Sequence, residues 1–459
     1  MNTIRAITPL DGRYATQVSG LAEHLSEWAL IRRRVQVEVE WLVEMADCAA
    51  ITDMRSLTGT EQEFLRGLVT DFDDDAAARV KGIERTTNHD VKAVEYYIRE
   101  RLAGTSLEDV CEWVHFCCTS EDINNISHAL MIKSALEDEW LPQAHALVDG
   151  VATLAAETAS TSMLAWTHGQ VASPTTLGKE LAVFVYRWRR QMRQIANAEY
   201  LGKFNGAVGS YNAHAIAYPD ADWQSISRGF VERMGLTHNP LTTQIEPHDY
   251  IAEIFHALIR FNTVTLDFDR DMWSYISLGV FRQKAVEGEV GSSTMPHKVN
   301  PINFENSEAN VGISTALLEH LATKLPVSRL QRDLTDSSAM RNLGPAIGHS
   351  LVGLKSAMRG LRQVAVDESL LAAELDDAWE VLAEAVQTVM RKQGGEDAYE
   401  LLKGFTRGQD ITKDDLRAFV SGLKLPSSDK KRLTALTPAG YTGIAAELVA
   451  RMDGRDEAN

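Results

Sequence analysis

Proline is scarce in this chain: 12 in 459 residues, with none between Pro9 and Pro142, Pro174 and Pro219, or Pro247 and Pro296. Breaker-free stretches of that length, rich in Ala, Leu, Glu, Gln and Arg, favour long helices and weigh against a fold of short strands and tight turns. Cysteine is scarcer still, at Cys48, Cys111, Cys117 and Cys118. These match no metal-ligand spacing, the adjacent pair is not a normal structural bridge, and all four read as buried thiols. No apolar run approaches the roughly 20 residues of a membrane span. The first nine residues lack the apolar core of a signal peptide, so a cytoplasmic protein without a membrane partner is expected. Positive charge is in deficit, with 46 Lys and Arg against 64 Asp and Glu and a net charge of −18. That balance argues against general nucleic-acid binding. Dinucleotide fingerprints, P-loops and metal-ligand spacings are missing, so no cofactor and no metal are expected.

What is present reads as helix. The segment Val35-Gln36-Val37-Glu38-Val39-Glu40 alternates like a strand, but Leu30, Val35, Val39, Leu42 and Val43 continue around it at helical spacing. Long helices are predicted from Glu121 to about Ser160, Pro174 to about Leu201 with Pro174 in the first turn, and Asp249 to about Glu287. Two more are predicted from Asn303 to about Lys324 and from Arg341 to about Val364. Helices of this length need partners for their apolar stripes, so an all-α fold around a helical bundle is expected. Several are apolar on more than one side, which points to an oligomer formed through the bundle. The length calls for more than one core. The expected division is an N-terminal helical domain over 1–115, a central bundle over 116–364 with a loop at 288–301, and a C-terminal helical domain over 365–459. Shorter helices are expected at the C-terminal end, over Asp367 to Gly395 and Asp397 to Lys403, with a capped start at Thr412.

Polar clusters interrupt the helical pattern at a few places. Gly291-Ser292-Ser293-Thr294-Met295-Pro296-His297-Lys298-Val299-Asn300-Pro301 is too polar to be a core element and suits a serine that swings over a bound substrate. Glu305, just beyond it, suits the first turn of a helix. Thr167-His168-Gly169-Gln170 places a histidine at the entrance of the helix predicted from Pro174, where its ordinary pKa near 6.5 suits proton transfer. Asn88, His89 and Asp90 form an N-cap cluster. Cys118-Thr119-Ser120-Glu121-Asp122 reads as a capping box, and a helix N-terminus also attracts anions. Arg332 and Arg341, in the polar stretch after Pro326, offer planar forks for phosphate or carboxylate.

Together these blocks resemble the fumarase/aspartase superfamily, whose members release fumarate from a succinyl group. His297 in Met-Pro-His-Lys, and the block from Thr86 to Glu95, resemble its adenylosuccinate lyase branch; fumarases, aspartases and argininosuccinate lyases lack the second block. The resemblance runs from residue 13 to residue 341. It implies a three-domain, almost entirely helical fold and a homotetramer whose active sites each take residues from three subunits. The implied reaction is β-elimination of fumarate from two nucleotide substrates, adenylosuccinate and the succinyl-carboxamide ribotide SAICAR, without a metal or organic cofactor. His168 would be the general acid. Ser292 would be the base, with Ser293 as the other candidate; loop amides and Lys298 would stabilise its alkoxide. Glu305 would orient the catalytic histidine. Thr119 and Ser120 would bind the succinyl carboxylate, and Lys298 and Asn300 would face the developing carbanion. Asn88, His89 and Asp90 would line the site, with His89 near the phosphate or supporting catalysis. Arg13, Tyr14, Gln244, Asn306, Arg332, Ser337 and Arg341 would hold the nucleotide. The competing readings are another fumarate-releasing lyase and a non-catalytic structural relative.

Overall fold

The computed structural model describes residues 3–284, 299–394, 398–406 and 411–453. Helix makes up 69% of the chain. Among the described residues, strand is confined to three two-stranded sheets, so the all-α expectation holds. The chain divides into two compact units, each assembled from separate stretches of sequence.

The first unit comprises Met1–Ala144, Met192–Thr263 and Ala309–Leu354. It contains α1 (Glu27–Asp47), α2 (Asp74–Thr87), α3 (Asp90–Leu102) and α4 (Ser120–Ser134). Helix α1 is continuous through the alternating segment. Ser26 caps it by accepting the Ala29 N–H at 3.1 Å, and Val35, Val37 and Val39 are all fully buried. Burial on several sides overrides the strand-like local pattern. Helix α4 is buried around nearly its whole circumference, including Glu121, Asp122, Asn124 and Asn125. Buried polar groups need partners, and those partners build the site described below. An aromatic knot of Trp41, Phe204 and Phe230, with ring centroids 4.3 to 5.1 Å apart, fills the space beside α1.

The second unit comprises His145–Gln191, Val264–Glu308 and Lys355–Asn459. Its core gathers Phe184, Trp188, Phe268 and Phe304, each ring at 5.1 to 6.1 Å from a neighbour. Helix α5 (Leu141–Glu157) is followed by an antiparallel hairpin, β1 (Ser162–Thr167) and β2 (Gln170–Thr176), and then by α6 (Leu177–Ala196). Pro174 therefore stands in a strand opposite Leu164 and not in the first turn of a helix. Residues before a proline favour extended backbone, and Val171, Thr175 and Thr176 are β-branched, so the strand extends to Thr176. Gly178 closes the hairpin against α5: a Cβ there would lie 2.3 Å from the Ala155 carbonyl oxygen.

Other predicted ends also shift. Helix α7 (Asp249–Leu278) stops at Gly279, whose φ of 85° ends it well short of Glu287. The chain then forms a strand, Phe281–Gln283, paired with Val364–Val366. Helices α8 (Ile302–Lys324) and α9 (Leu343–Arg362) lie close to their predicted limits. The stretch expected as one helix from Asp367 to Gly395 is broken into Glu368–Asp377, Trp379–Leu382 and Ala383–Lys392, as Trp379 turns into a separate C-terminal core with Leu382, Val386, Leu416 and Val420. The Thr412–Asp415 capping box forms as predicted. All four cysteines are free; each residue is partly buried, and burial pushes the Cys118 thiol well up.

Candidate active site

The first unit brings many of the predicted binding residues together. Thr119 is the N-cap of α4, and its N–H donates to Asp122 Oδ2 at 2.8 Å. Asp122, wholly buried, also takes Lys203 Nζ at 2.8 Å and the Asn205 N–H at 3.0 Å. A carboxylate held by a buried cation and backbone amides fixes the turn that presents Thr119 and Ser120 at the α4 N-terminus. Asn88 ends α2 in the left-handed region, at φ 51°, and its N–H donates to the Glu84 carbonyl at 2.8 Å. The chain then swings to an extended His89, which caps α3. His89 Nδ1 accepts the Lys92 N–H at 3.2 Å, which leaves Nε2 as the position for the ring proton of the neutral imidazole. Asp90 receives Arg34 Nη2 at 2.7 Å.

Arg332 is the hub of a second group. Its Nη2 donates to Ser337 Oγ at 3.1 Å and lies 2.9 Å from Glu121 Oε1, while Nη1 reaches Gln244 Oε1 at 3.4 Å. Arg341 pairs with Glu27 at 3.0 Å through half-exposed side chains. A cavity of about 240 Å³ is lined by Arg34, Asp90, Asn124, His128, Ser337 and Arg341 among others. Arg13 is exposed ahead of a short helix, Ala15–Val18, for which Tyr14 is the N-cap; neither lines this cavity.

Electrostatics here reflect burial opposed by pairing. Burial alone would raise the Asp90 carboxyl, but the Arg34 charge and hydrogen bond outweigh it and hold it below the ordinary carboxylate range. Asp336, next to Ser337, is likewise raised by burial and lowered further by His248 and the Ser337 N–H, with a net shift downward. His128 is depressed to about 3, first by burial and then by the neighbouring charges of Arg34 and His248.

The second unit carries the other predicted residues in more exposed settings. His168 and Gly169 form the two-residue turn of the β1–β2 hairpin, both at positive φ (54° and 72°), and His168 is exposed at its tip. Paired positive φ values are what a tight hairpin turn requires. His168 thus projects from a hairpin, not from a helix entrance. Glu305 lies in the first turn of α8, as predicted, and accepts Trp273 Nε1–H at 3.1 Å. Among the described residues His168 makes no hydrogen bond to it. Asn306 Oδ1 accepts Ser356 Oγ–H at 2.8 Å. Asn300 is half-exposed two residues before α8. Ser292, Ser293 and Lys298 lie outside the described residues.

Comparison with known proteins sharpens this arrangement. Residues 12–313 match the family model described as "Lyase", and residues 328–442 match that described as "Adenylosuccinate lyase C-terminal". The chain is 52% identical over 450 residues to the adenylosuccinate lyase of Escherichia coli (strain K12), covering 98% of this chain and 99% of that one. It is 51% identical over 453 residues to the adenylosuccinate lyase of Haemophilus influenzae, with 98% and 99% covered. This chain belongs to the adenylosuccinate lyase family. It is a lyase of the same architecture as more distant solved structures. A 3-carboxy-cis,cis-muconate lactonizing enzyme from Pseudomonas putida superposes with a TM-score of 0.73 at 21% identity, covering 95% of this chain and 96% of that one. A fumarate lyase from Mesorhizobium sp. BNC1 gives 0.75 at 18% identity, covering 95% and 98%. Those two show the shared fold alone.

For an adenylosuccinate lyase family member, the first unit offers what an anionic substrate needs on a chain of net charge −18: guanidinium forks and a helix N-terminus in a local cluster. Sequence reading took Glu121 only as part of a capping box and gave no site role to Arg34, Asn124 or His128. Their one local signal is a polar side chain at a buried helical position, such as Arg34 between Ile31 and Val35, both buried. Among the described residues no helix is long and apolar enough to cross a membrane.

Proposed function

We propose that the chain eliminates fumarate from adenylosuccinate, giving AMP, and from SAICAR, giving the corresponding carboxamide ribotide. The base removes a proton from the succinyl Cβ. The electron pair first spreads into the neighbouring carboxylate, then forms the new C=C bond as the C–N bond breaks. His168 supplies the proton taken up by the departing nitrogen, so fumarate and the amine leave with charge and atoms balanced. Ser292 is the base in this reading, with Ser293 the alternative hydroxyl, and Lys298 stabilises the alkoxide. Asn300 and Lys298 face the developing carboxylate charge. Glu305 acts as a supporting carboxylate for a catalytic histidine, and His89 supports the site from the N-cap of α3.

Thr119 and Ser120 hold the succinyl carboxylate at the α4 N-terminus. Arg332, Ser337 and Arg341 grip the nucleotide phosphate, with Arg13, Tyr14, Asn88, Asp90, Gln244 and Asn306 completing the nucleotide site. The observation that carries this reading is Arg332, which reaches both Ser337, five positions on, and Gln244, 88 positions back in the sequence, in a chain half identical to named lyases along nearly its full length.

The same reading includes a cytoplasmic homotetramer with sites shared between subunits and the three-part division at 115 and 364. The test is fumarate release from purified protein given adenylosuccinate, with argininosuccinate and malate in parallel. Release from adenylosuccinate alone supports the reading. Release from argininosuccinate or malate instead, or from none of the three, overturns it.

A further inference from the structure

Three buried side chains in the first unit form a continuous chain between two of its binding blocks. Arg34 Nη2 donates to Asp90 at 2.7 Å, and Arg34 Nε donates to Asn124 Oδ1 at 2.9 Å. Asn124 Nδ2 donates to Glu121 Oε1 at 2.7 Å, and that same oxygen lies 2.9 Å from Arg332 Nη2. Asp90 and Arg332 are separated by 242 positions in sequence, from the numbering, yet three side chains join them. Glu121 and Arg34 are 1% and 3% exposed, and Asn124 is 6%.

The chemistry of the middle link is directional. The Asn124 amide stands between a cation and an anion, with its oxygen toward the guanidinium and its nitrogen toward the carboxylate. The flipped amide would set donor against donor and acceptor against acceptor, so this orientation is forced by its neighbours. A neutral dipole thereby aligns two charged pairs. Among the described residues the network is also incompletely satisfied: Glu121 Oε2 and Arg332 Nε are buried without a hydrogen-bond partner there. A network kept for stability alone gains from full satisfaction, and a half-satisfied one costs more than an apolar replacement. Retaining it makes sense where the orientation of Arg332 is what matters.

We infer that Asn124 is a positioning residue for nucleotide binding: it couples the Arg34–Asp90 pair to the Glu121–Arg332 pair, so that the two blocks are aimed as one unit. This rests on the reading of Arg332 and Asp90 as nucleotide-binding residues. Asn124 acts through Arg332 and carries no charge itself.

The test uses Asn124→Leu, which keeps the size, removes both hydrogen bonds and leaves the net charge unchanged. AMP affinity measured by calorimetry is expected to fall about tenfold, the scale of one or two lost hydrogen bonds to charged groups. KM for adenylosuccinate is expected to rise in parallel, with kcat and inhibition by succinate moving less than about threefold. The deciding comparison is the same substitution in an Arg332→Ala background, where it is expected to weaken AMP binding less than about twofold further, because its target is gone. Arg34→Lys, which keeps the charge but loses the fork, is expected to act in the same direction; it carries the test alone if Asn124→Leu does not fold.

Unchanged AMP affinity in the variants overturns the inference. So does an equal loss of AMP and succinate binding, or an undiminished effect in the Arg332→Ala background, since each assigns Asn124 a general structural or direct role. Wild-type protein that binds AMP but releases no fumarate would overturn the proposed reaction and leave this coupling to stand or fall on calorimetry.

Discussion

The two units present their site residues in opposite ways. In the first, Asp90, Thr119, Arg332 and Ser337 are each held by named partners, and several of those partners are buried carboxylates or cations. In the second, His168 stands exposed on a two-residue turn, and Glu305 is exposed and accepts the Trp273 indole N–H. On the proposed function, the contrast separates two tasks. Recognition of a large anion calls for forks and amides fixed before the ligand arrives, because orienting them afterwards costs affinity. Proton transfer calls for a group that meets solvent and substrate in turn. A histidine on a hairpin tip satisfies that without a buried network to sustain it.

The largest effect that tests this contrast lies in the second unit. His168→Ala and Ser292→Ala are each expected to lower kcat by about 10³-fold or more, the usual scale for a general acid or base. Because His168 is exposed, its substitution should leave the melting temperature essentially unchanged, as differential scanning fluorimetry would show. Mixing the two inactive proteins after subunit exchange is expected to restore part of the activity. No recovery despite proven exchange would count against shared sites.

Arg332→Ala tests the first unit and should behave differently. It leaves Glu121 buried beside a vacant position, so a loss of stability on the order of 3 kcal/mol is expected together with weaker nucleotide binding. Chemical denaturation combined with KM measurement checks both. A loss of turnover with stability and KM unchanged would erase the contrast between the units.

A smaller effect follows from the buried histidines of the first unit. His128 is depressed to about 3 and His214 to about 4, burial being the largest cause in both. The unfolded chain takes up these protons near pH 6.5, whereas the folded chain refuses them until well below that. Stability is therefore full above pH 6.5 and declines as the pH falls toward 4, by on the order of 2 kcal/mol per group at pH 5. Urea titrations of wild type and His128→Gln at pH 7 and pH 5 should show the variant losing less.

The smallest effect concerns Arg341, whose partner Glu27 is half-exposed. Surface pairs of this kind contribute roughly 0 to 1 kcal/mol. Glu27→Gln should thus change AMP affinity by no more than about threefold, in contrast to the buried Asn124 link.

Helical spacing made the fold legible where it was long and strongly periodic. Residues 30 to 43 read as helix through a strand-like stretch because the apolar stripe continues on both sides. It failed at the hairpin: Pro174 is permitted both in a helix's first turn and in a strand, and the pairing partner that decides the matter, Leu164, is a tertiary fact. Thr119, Asp90 and Arg332 were legible because they stand in polar clusters that break an apolar pattern. Arg34 and Asn124 were not, because each stands in a run of similar polar residues, Arg32-Arg33-Arg34 and Asn124-Asn125, and the member that matters is decided by a partner 56 or 90 positions away.

The most direct test of the division between the units is a paired measurement of AMP affinity by calorimetry and fumarate release for His168→Ala and Arg332→Ala. The expected result is a crossing: His168→Ala keeps AMP affinity within about twofold and releases no fumarate, while Arg332→Ala loses AMP affinity by about tenfold or more. If His168→Ala loses AMP binding and Arg332→Ala keeps it, the assignment of recognition to the first unit and proton transfer to the second is wrong.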